Sequence, residues 1–233
     1  MNFGVKKEGN QVIKKGVSLN YQAVLGAEYL AYQNLQGDIA GKINARRFEH
    51  LDLSNSVVLD FGAGTGNLLS FLSAKKKIAI EPNPYAQKVL KKKGIEFHNT
   101  LEIIKSNSID LIISNNSLEH TLDPIAELKE MYRVLKKGGN IVVLTPIDDW
   151  RKFKKLDLND INHHLFTWTP QHLGNCMLEA GYDIKSSEVR IVHEAWPKFY
   201  EQIYFNRFLF RVACYCYAYI TKKRQVMVAH TKN

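Results

Sequence analysis

A chain of 233 residues, 45% of them hydrophobic, is long enough to bury a full core and is expected to form one elaborated domain. Its formal charge of +9 favours anions, but the lysines are dispersed over expected element ends (Lys75 to Lys77, Lys91 to Lys93, Lys136-Lys137), which disfavours a nucleic-acid track. Three cysteines, Cys176, Cys214 and Cys216, are too few for a disulfide framework, and the first ten residues lack the apolar core of a secretion signal, so a cytoplasmic location is expected.

Residues 1 to about 20 read as a polar lead-in. From Tyr21 to Gln36 the apolar residues Val24, Leu25, Tyr29, Tyr32 and Leu35 fall at helical spacing, and a second helix is expected from an Asp38 cap to His50. The chain then reaches Val57-Val58-Leu59-Asp60-Phe61-Gly62-Ala63-Gly64-Thr65-Gly66, an apolar strand that ends in an acid and enters a glycine-rich turn. Such a short apolar run suits a strand buried on both faces, and Asn67 to Leu72 returns to helical spacing. The glycines allow a sharp turn and close approach of a ligand.

Details of this turn narrow the ligand. No Lys-Ser or Lys-Thr follows the glycines, so it is not a phosphate-binding loop. Asn67 stands where a dinucleotide turn has its third glycine, and Asp60 would repel a pyrophosphate. The next strand, Ile78-Ala79-Ile80, ends in Glu81, about 20 residues on, the usual place for an acid that accepts from ribose hydroxyls. A nucleoside with a positive centre and no phosphates satisfies both acids.

Beyond Glu81, Asn83 and Pro84 open a helix that ends near Gly94, and Ile95 to His98 makes a third strand. Asp123-Pro124 starts a helix that Gly138-Gly139 is expected to stop. An irregular insert runs from Pro146 to Trp168. A helix follows from Thr169-Pro170 to Gly181, then a strand from Tyr182 to His193 and a last strand from Gln225 to His230. Between these strands lies the aromatic segment Trp196 to Lys223. Arg207 and Arg211 interrupt it, so it is too short and too charged to span a bilayer, which needs about 20 predominantly apolar residues. A core-packing or homodimer helix and a membrane-surface helix both remain open readings for it. The alternation predicts an α/β fold with a doubly wound, mainly parallel sheet and a ligand crevice at the carboxyl ends of its strands.

Leu59-Asp60-Phe61-Gly62-Ala63-Gly64-Thr65-Gly66, Ile80-Glu81-Pro82-Asn83, Ile109 to Asn115 with Leu118-Glu119-His120, and Arg133 to Gly139 with the strand Ile141 to Leu144 occur in order and at family spacing. Together they resemble the class I S-adenosylmethionine-dependent methyltransferases, in particular the type 11 group that methylates small molecules. The resemblance implies a seven-stranded Rossmann-like methyltransferase fold spanning 1–233. Lead-in and cover helices would occupy 1–50, the cofactor core 51–146, and the substrate-side insert with the last two strands 147–233. It implies S-adenosyl-L-methionine as cofactor, held by Asp60, Phe61, Gly62, Ala63, Gly64, Gly66, Glu81 and Pro82. Leu101 would lie near adenine, and the carbonyls of Ser114 and Asn115 near the donor's ammonium group. Tyr21, Tyr29 or Arg46 would be available to the methionine carboxylate.

An alcohol acceptor gains from a base that titrates near neutrality, which makes His120, His163 and His164 the catalytic candidates. His163 and His164 are adjacent in sequence and do not easily point the same way. With no third ligand evident beside them, and only Asp148, Asp149, Asp157 and Asp160 as nearby acids, no metal site is expected. The stretch His163 to Trp168 is similar to that of bacterial methyltransferases of surface-polysaccharide synthesis, which favours an oxygen of a sugar or glycoconjugate as acceptor. A lipid or quinone acceptor, and a non-catalytic cofactor-binding subunit of a complex, are the alternatives.

Overall fold

In a computed structural model of the chain, the residues described are 18, 23–34, 37–148, 155–157, 160–192 and 203–233. Seven strands, β1 (Val57–Phe61), β2 (Lys76–Ile80), β3 (Glu96–His98), β4 (Ile109–Asn115), β5 (Leu135–Ile147), β6 (Glu188–Val192) and β7 (Arg224–Thr231), form one sheet in the order β3-β2-β1-β4-β5-β7-β6. Neighbours from β3 to β5 pair in parallel, while β7 runs antiparallel to β5 and β6. The expected doubly wound, mainly parallel sheet is therefore the observed one. Strand order reverses between β1 and β4, and that is where such a sheet opens its ligand crevice.

Burial explains the apolar runs. Val58 and Leu59 of β1, and Ile112 and Ile113 of β4, have no solvent exposure, because helices cover both faces. Side chains alternate between two cores at the strand period of two. Leu59 and Phe61 join Ile112, Leu128, Met131 and Leu173 on one side, while Val58 joins Leu30, Phe48, Leu69 and Leu90 on the other. The described α-helices are α1 (Ala23–Asn34), α2 (Gly37–Ala45), α3 (Asn67–Ser70), α4 (Gln87–Lys92), α5 (Pro124–Val134), α6 (Pro170–Glu179) and α7 (Arg207–Thr221). Asn83, Asp123 and Thr169 accept from the backbone amides of Tyr85, Ala126 and His172, so three helical turns start where side-chain capping places them.

Several boundaries differ from expectation. Asp38 lies inside the first turn of α2, and a short 3₁₀ turn, Arg46–Phe48, replaces the end of the expected helix. The helix opened by Pro124 stops at Val134, well before Gly138-Gly139. Those glycines instead shape the irregular start of β5: Gly138 has φ +73°, its N–H donates to the Lys232 carbonyl at 2.7 Å, and the Lys232 N–H donates to the Gly139 carbonyl at 2.9 Å. Tyr182 is not in a strand. It is buried, and its hydroxyl donates to the Leu128 carbonyl at 3.0 Å, so β6 begins only at Glu188.

The aromatic segment yields α7, which buries Phe210, Cys214 and Ala218 and exposes Phe208, Leu209, Tyr215, Tyr219 and Ile220. Residues 196–202 of that segment lie outside the described residues. Among the described residues no helix is long and apolar enough to cross a membrane.

Candidate active site

The turn after β1 is pinned to the tip of β2: the N–H groups of Gly62 and Ala63 donate to the Ile80 carbonyl at 2.8 and 3.2 Å. Gly62, Gly64 and Gly66 have φ of +74°, +52° and +71°, where side chains are strained. Packing adds a second requirement. A Cβ on Gly62 would overlap that of Ser117, and one on Gly66 would stand 2.6 Å from Leu90 and 2.7 Å from Ile95. Packing against the turn after β4 and against α4 thus already requires glycine at these two positions; Gly64 has only the tip of Gln33 near it, at 3.0 Å. Ala63 and Pro82 are half-buried beside them.

Glu81 joins the two strand tips. One carboxylate oxygen accepts from the Gly64 N–H at 2.7 Å and the other from the Asn83 N–H at 2.8 Å. Burial raises its pKa to about 7 against those two bonds, which pull it down. Asp60, 4% exposed, has no hydrogen-bond partner among the described residues, and burial followed by the charge of Glu81 raises it to about 8. Two buried acids that resist ionising together form a place where a cationic group is welcome.

The rest of the crevice edge follows from β4. The Ser117 hydroxyl donates to the Phe61 carbonyl at 2.6 Å and lies 3.1 Å from the Ser114 hydroxyl, so the Ser114 side chain is spent within the fold. Asn115 Oδ1 is buried with no hydrogen-bond partner among the described residues. Leu101 is a core residue, 2% exposed, whose carbonyl accepts from Arg133 Nη2 at 3.0 Å. Of the cover residues, Asn83 Nδ2 donates to the Gly26 carbonyl at 2.7 Å and Thr65 Oγ1 to Asn34 Oδ1 at 2.8 Å, which fastens α1 over the turn. Tyr29 stands edge-on to His120 with ring centroids 6.1 Å apart. Arg46 does not reach the crevice as expected: it lies 3.5 Å from the Tyr204 ring centroid and donates to the Tyr204 carbonyl at 3.0 Å. Tyr21 lies outside the described residues.

The histidines separate clearly. The backbone N–H groups of Leu165 and Phe166 donate to the Glu119 carbonyl at 2.8 and 3.3 Å, which folds the insert back onto the tip of β4. That contact brings the rings of His120 and His164 to 5.0 Å. His164 Nδ1 lies 2.8 Å from Asp148 Oδ2, and although burial opposes it, this carboxylate leaves the imidazole pKa raised. Burial lowers the His120 pKa to about 4. Beside them Glu119 has no exposure, both its carboxylate oxygens lack a hydrogen-bond partner among the described residues, and burial raises its pKa to about 8. His120 Nε2 is 3.8 Å from one of those oxygens. His163, by contrast, has an exposed side chain and φ +48°, so the sequence pair supplies one imidazole to the cluster.

Glu119 is the candidate that residue types alone did not single out, whereas Asp148 was among the acids named near the histidines. Glu119 stands inside the Leu118-Glu119-His120 motif, but its isolation becomes visible only when the insert is folded over it. Among the described residues the His163–His164 pair gathers no further ligand, but His164 joins a different group: ligand atoms of Glu119, His120 and His164 lie within 4.8 Å of one another.

A model of the methyltransferase domain family matches residues 33–187, which is more than half of the chain, and the chain belongs to that family. Its sheet order and acid-bearing glycine turn are those of the class I S-adenosylmethionine-dependent methyltransferase fold. The chain is 34% identical over 101 residues to the malonyl-[acyl-carrier protein] O-methyltransferase of Marinomonas sp. (strain MWYL1), a stretch covering 38% of this chain and 37% of that protein. The chain thus spans little more than a third of the length of that relative. Among solved structures, a SAM-dependent methyltransferase of Thermotoga maritima superposes with a TM-score of 0.61 at 21% identity, covering 89% of this chain and 96% of the other. The phosphoethanolamine N-methyltransferase 2 of Haemonchus contortus, bound to S-adenosyl-L-methionine, superposes with a TM-score of 0.60 at 16% identity, covering 92% of this chain and 58% of the other. At such identities the structures bear on the fold alone.

Proposed function

We propose that the protein transfers the methyl group of S-adenosyl-L-methionine to a hydroxyl oxygen of a small or medium-sized acceptor, with a sugar or glycoconjugate favoured. The observation that carries the oxygen assignment is the buried Glu119 carboxyl, without a hydrogen-bond partner among the described residues, beside His120 and His164 at the same strand edge as Asp60 and Glu81. The cofactor supplies an electrophilic methyl on a sulfonium. Asp60 and Glu81 hold its cationic and ribose portions in place, and the backbone at Ser114 and Asn115 orients the methionine end. Alignment of the acceptor oxygen with the methyl group then does most of the work, as in-line displacement requires. The acceptor hydroxyl loses its proton as the new C–O bond forms, and the Glu119, His120 and His164 cluster receives it.

Asn115 Oδ1 and Thr145 Oγ1, near the carboxyl ends of β4 and β5, are buried without a hydrogen-bond partner among the described residues, and a polyhydroxylated acceptor that reached them would supply one. The whole chain then works as one methyltransferase unit, with residues 147–233 on the acceptor side. The relative from Marinomonas favours a second reading, an acceptor carboxylate. Purified protein is incubated with donor labelled in its methyl group and two panels, glycosides and acyl-thioester carboxylates. Label in an alkali-stable ether on a glycoside supports the first reading, label in an ester supports the second, and label on nitrogen alone would refute oxygen transfer.

A further inference from the structure

We propose that Glu119, His120 and His164 form a site for a divalent transition-metal ion, which receives the acceptor oxygen; this rests on the O-methyltransferase reading. Two imidazoles and a carboxylate are a donor set that suits Mn²⁺, Co²⁺ and Zn²⁺ better than Mg²⁺, which prefers all-oxygen surroundings. Three protein ligands leave positions open for a substrate, as in catalytic rather than structural metal sites.

Four features support a built site. The ligand atoms come from two distant segments, the 3₁₀ turn at Leu118–His120 and the insert, and converge to within 4.8 Å. Metal–ligand bonds of about 2.1 Å place donors roughly 3–4 Å apart, so the cluster has to contract by about 1 Å, within the reach of side-chain rotation. Glu119, with no exposure and neither oxygen bonded among the described residues, sits beside the imidazoles and is otherwise a costly group to bury. Finally, Asp148 holds His164 at Nδ1 over 2.8 Å, leaving Nε2 as the ligating nitrogen; a carboxylate behind a ligating histidine is the usual device for orienting the ring. The carboxylates of Glu119 and Asp148 together offer the two negative charges that a divalent ion balances.

An ion here would acidify a hydroxyl bound to it, so that the proton would pass to solvent water as the C–O bond forms, and Glu119, His120 and His164 would hold the metal instead of taking the proton as they do in the metal-free reading. The preferred acceptor therefore offers two neighbouring oxygens, such as a vicinal diol, which chelate the open positions.

The test is calorimetric titration of the full chain, freed of metal by chelator, with MnCl₂ and with ZnCl₂. The Co²⁺-loaded protein is followed by its visible absorption. One ion per chain is expected, with affinity reduced at least tenfold in His120→Ala, His164→Ala and Glu119→Gln and about tenfold in Asp148→Asn. His50→Ala, an exposed histidine before β1, should bind as the parent does. Thermal melts of each variant separate loss of a ligand from loss of fold, and the isosteric Glu119→Gln and Asp148→Asn keep the test readable if an alanine variant fails to fold. Absence of binding, or binding that none of these changes weakens, overturns the site. S-adenosylhomocysteine is titrated into the same metal-free protein: its binding stands or falls with the methyltransferase reading, not with the metal.

Discussion

The Ser117 hydroxyl donates to the Phe61 carbonyl at 2.6 Å, so the tip of β4 is bonded to the tip of β1 at the point where strand order reverses. Gly62 follows immediately, with φ +74° and its missing Cβ directed at Ser117. Gly62→Ala should therefore meet two penalties, left-handed backbone strain and overlap, and lose about 2–4 kcal/mol of stability by denaturant unfolding. Adding Ser117→Gly removes the overlap but not the strain, so the double variant should recover part of the loss. A strictly additive pair of effects would show that the two residues do not press on one another.

Arg133 on α5 reaches across to the loop that carries Leu101, donating to the carbonyls of Leu101 at 3.0 Å and Ile104 at 2.8 Å. Glu130 fixes the guanidinium from one turn earlier, at 2.7 Å. Because Leu101 is the residue expected beside adenine, Arg133→Ala should raise the donor dissociation constant about 3- to 10-fold, the worth of roughly one hydrogen bond, with kcat little changed. Arg133→Lys should fail to restore it, since an ammonium group lacks the planar fork that spans two carbonyls. Rescue by lysine would argue against positioning through this clamp.

The buried parallel strands were legible because they announce themselves locally, as in Val57 to Leu59 and Ile109 to Ile113. Asp60 and Glu81 could be placed at one edge for the same reason: each ends such a run. What local pattern could not carry was long-range. The early stop of α5 depends on strand pairing of Leu135 with Ile109. The isolation of Glu119 depends on Leu165 and Phe166, more than forty positions away, closing over it. Adjacent histidines looked equivalent until the left-handed turn at His163 left only His164 in the cluster.

Lys232, next to the C-terminal residue, is 8% exposed and donates from Nζ to the carbonyls of Tyr132 at 2.7 Å and Leu135 at 2.8 Å. It thereby caps the end of α5 and the entry to β5 with one cation, which favours the negative end of a helix. Lys232→Met keeps the apolar stem but leaves both carbonyls without this donor. A loss of about 2–3 kcal/mol by chemical denaturation is expected, with donor binding at the far edge of the sheet unchanged. A neutral effect would mean that water replaces the ammonium group at no cost.

The buried acids give the site a definite pH dependence. Asp60 is raised from 3.8 to about 8 and Glu81 from 4.5 to about 7, so the folded chain holds these protons more tightly than the unfolded chain. Their contribution to stability is thus fully present below pH 4 and is lost as pH rises through about 7 to 8. A cationic donor reverses the preference, because it binds the ionised acids and expels a proton. Its affinity should rise between pH 6 and 8 by up to about tenfold per pH unit while one proton is released. Calorimetry at pH 7 in buffers of differing ionisation enthalpy counts that proton directly. Asp60→Asn should weaken donor binding, flatten the profile and make the unliganded protein more stable at pH 8 than the parent. An Asp60→Asn profile as steep as that of the parent would assign the released proton to another group.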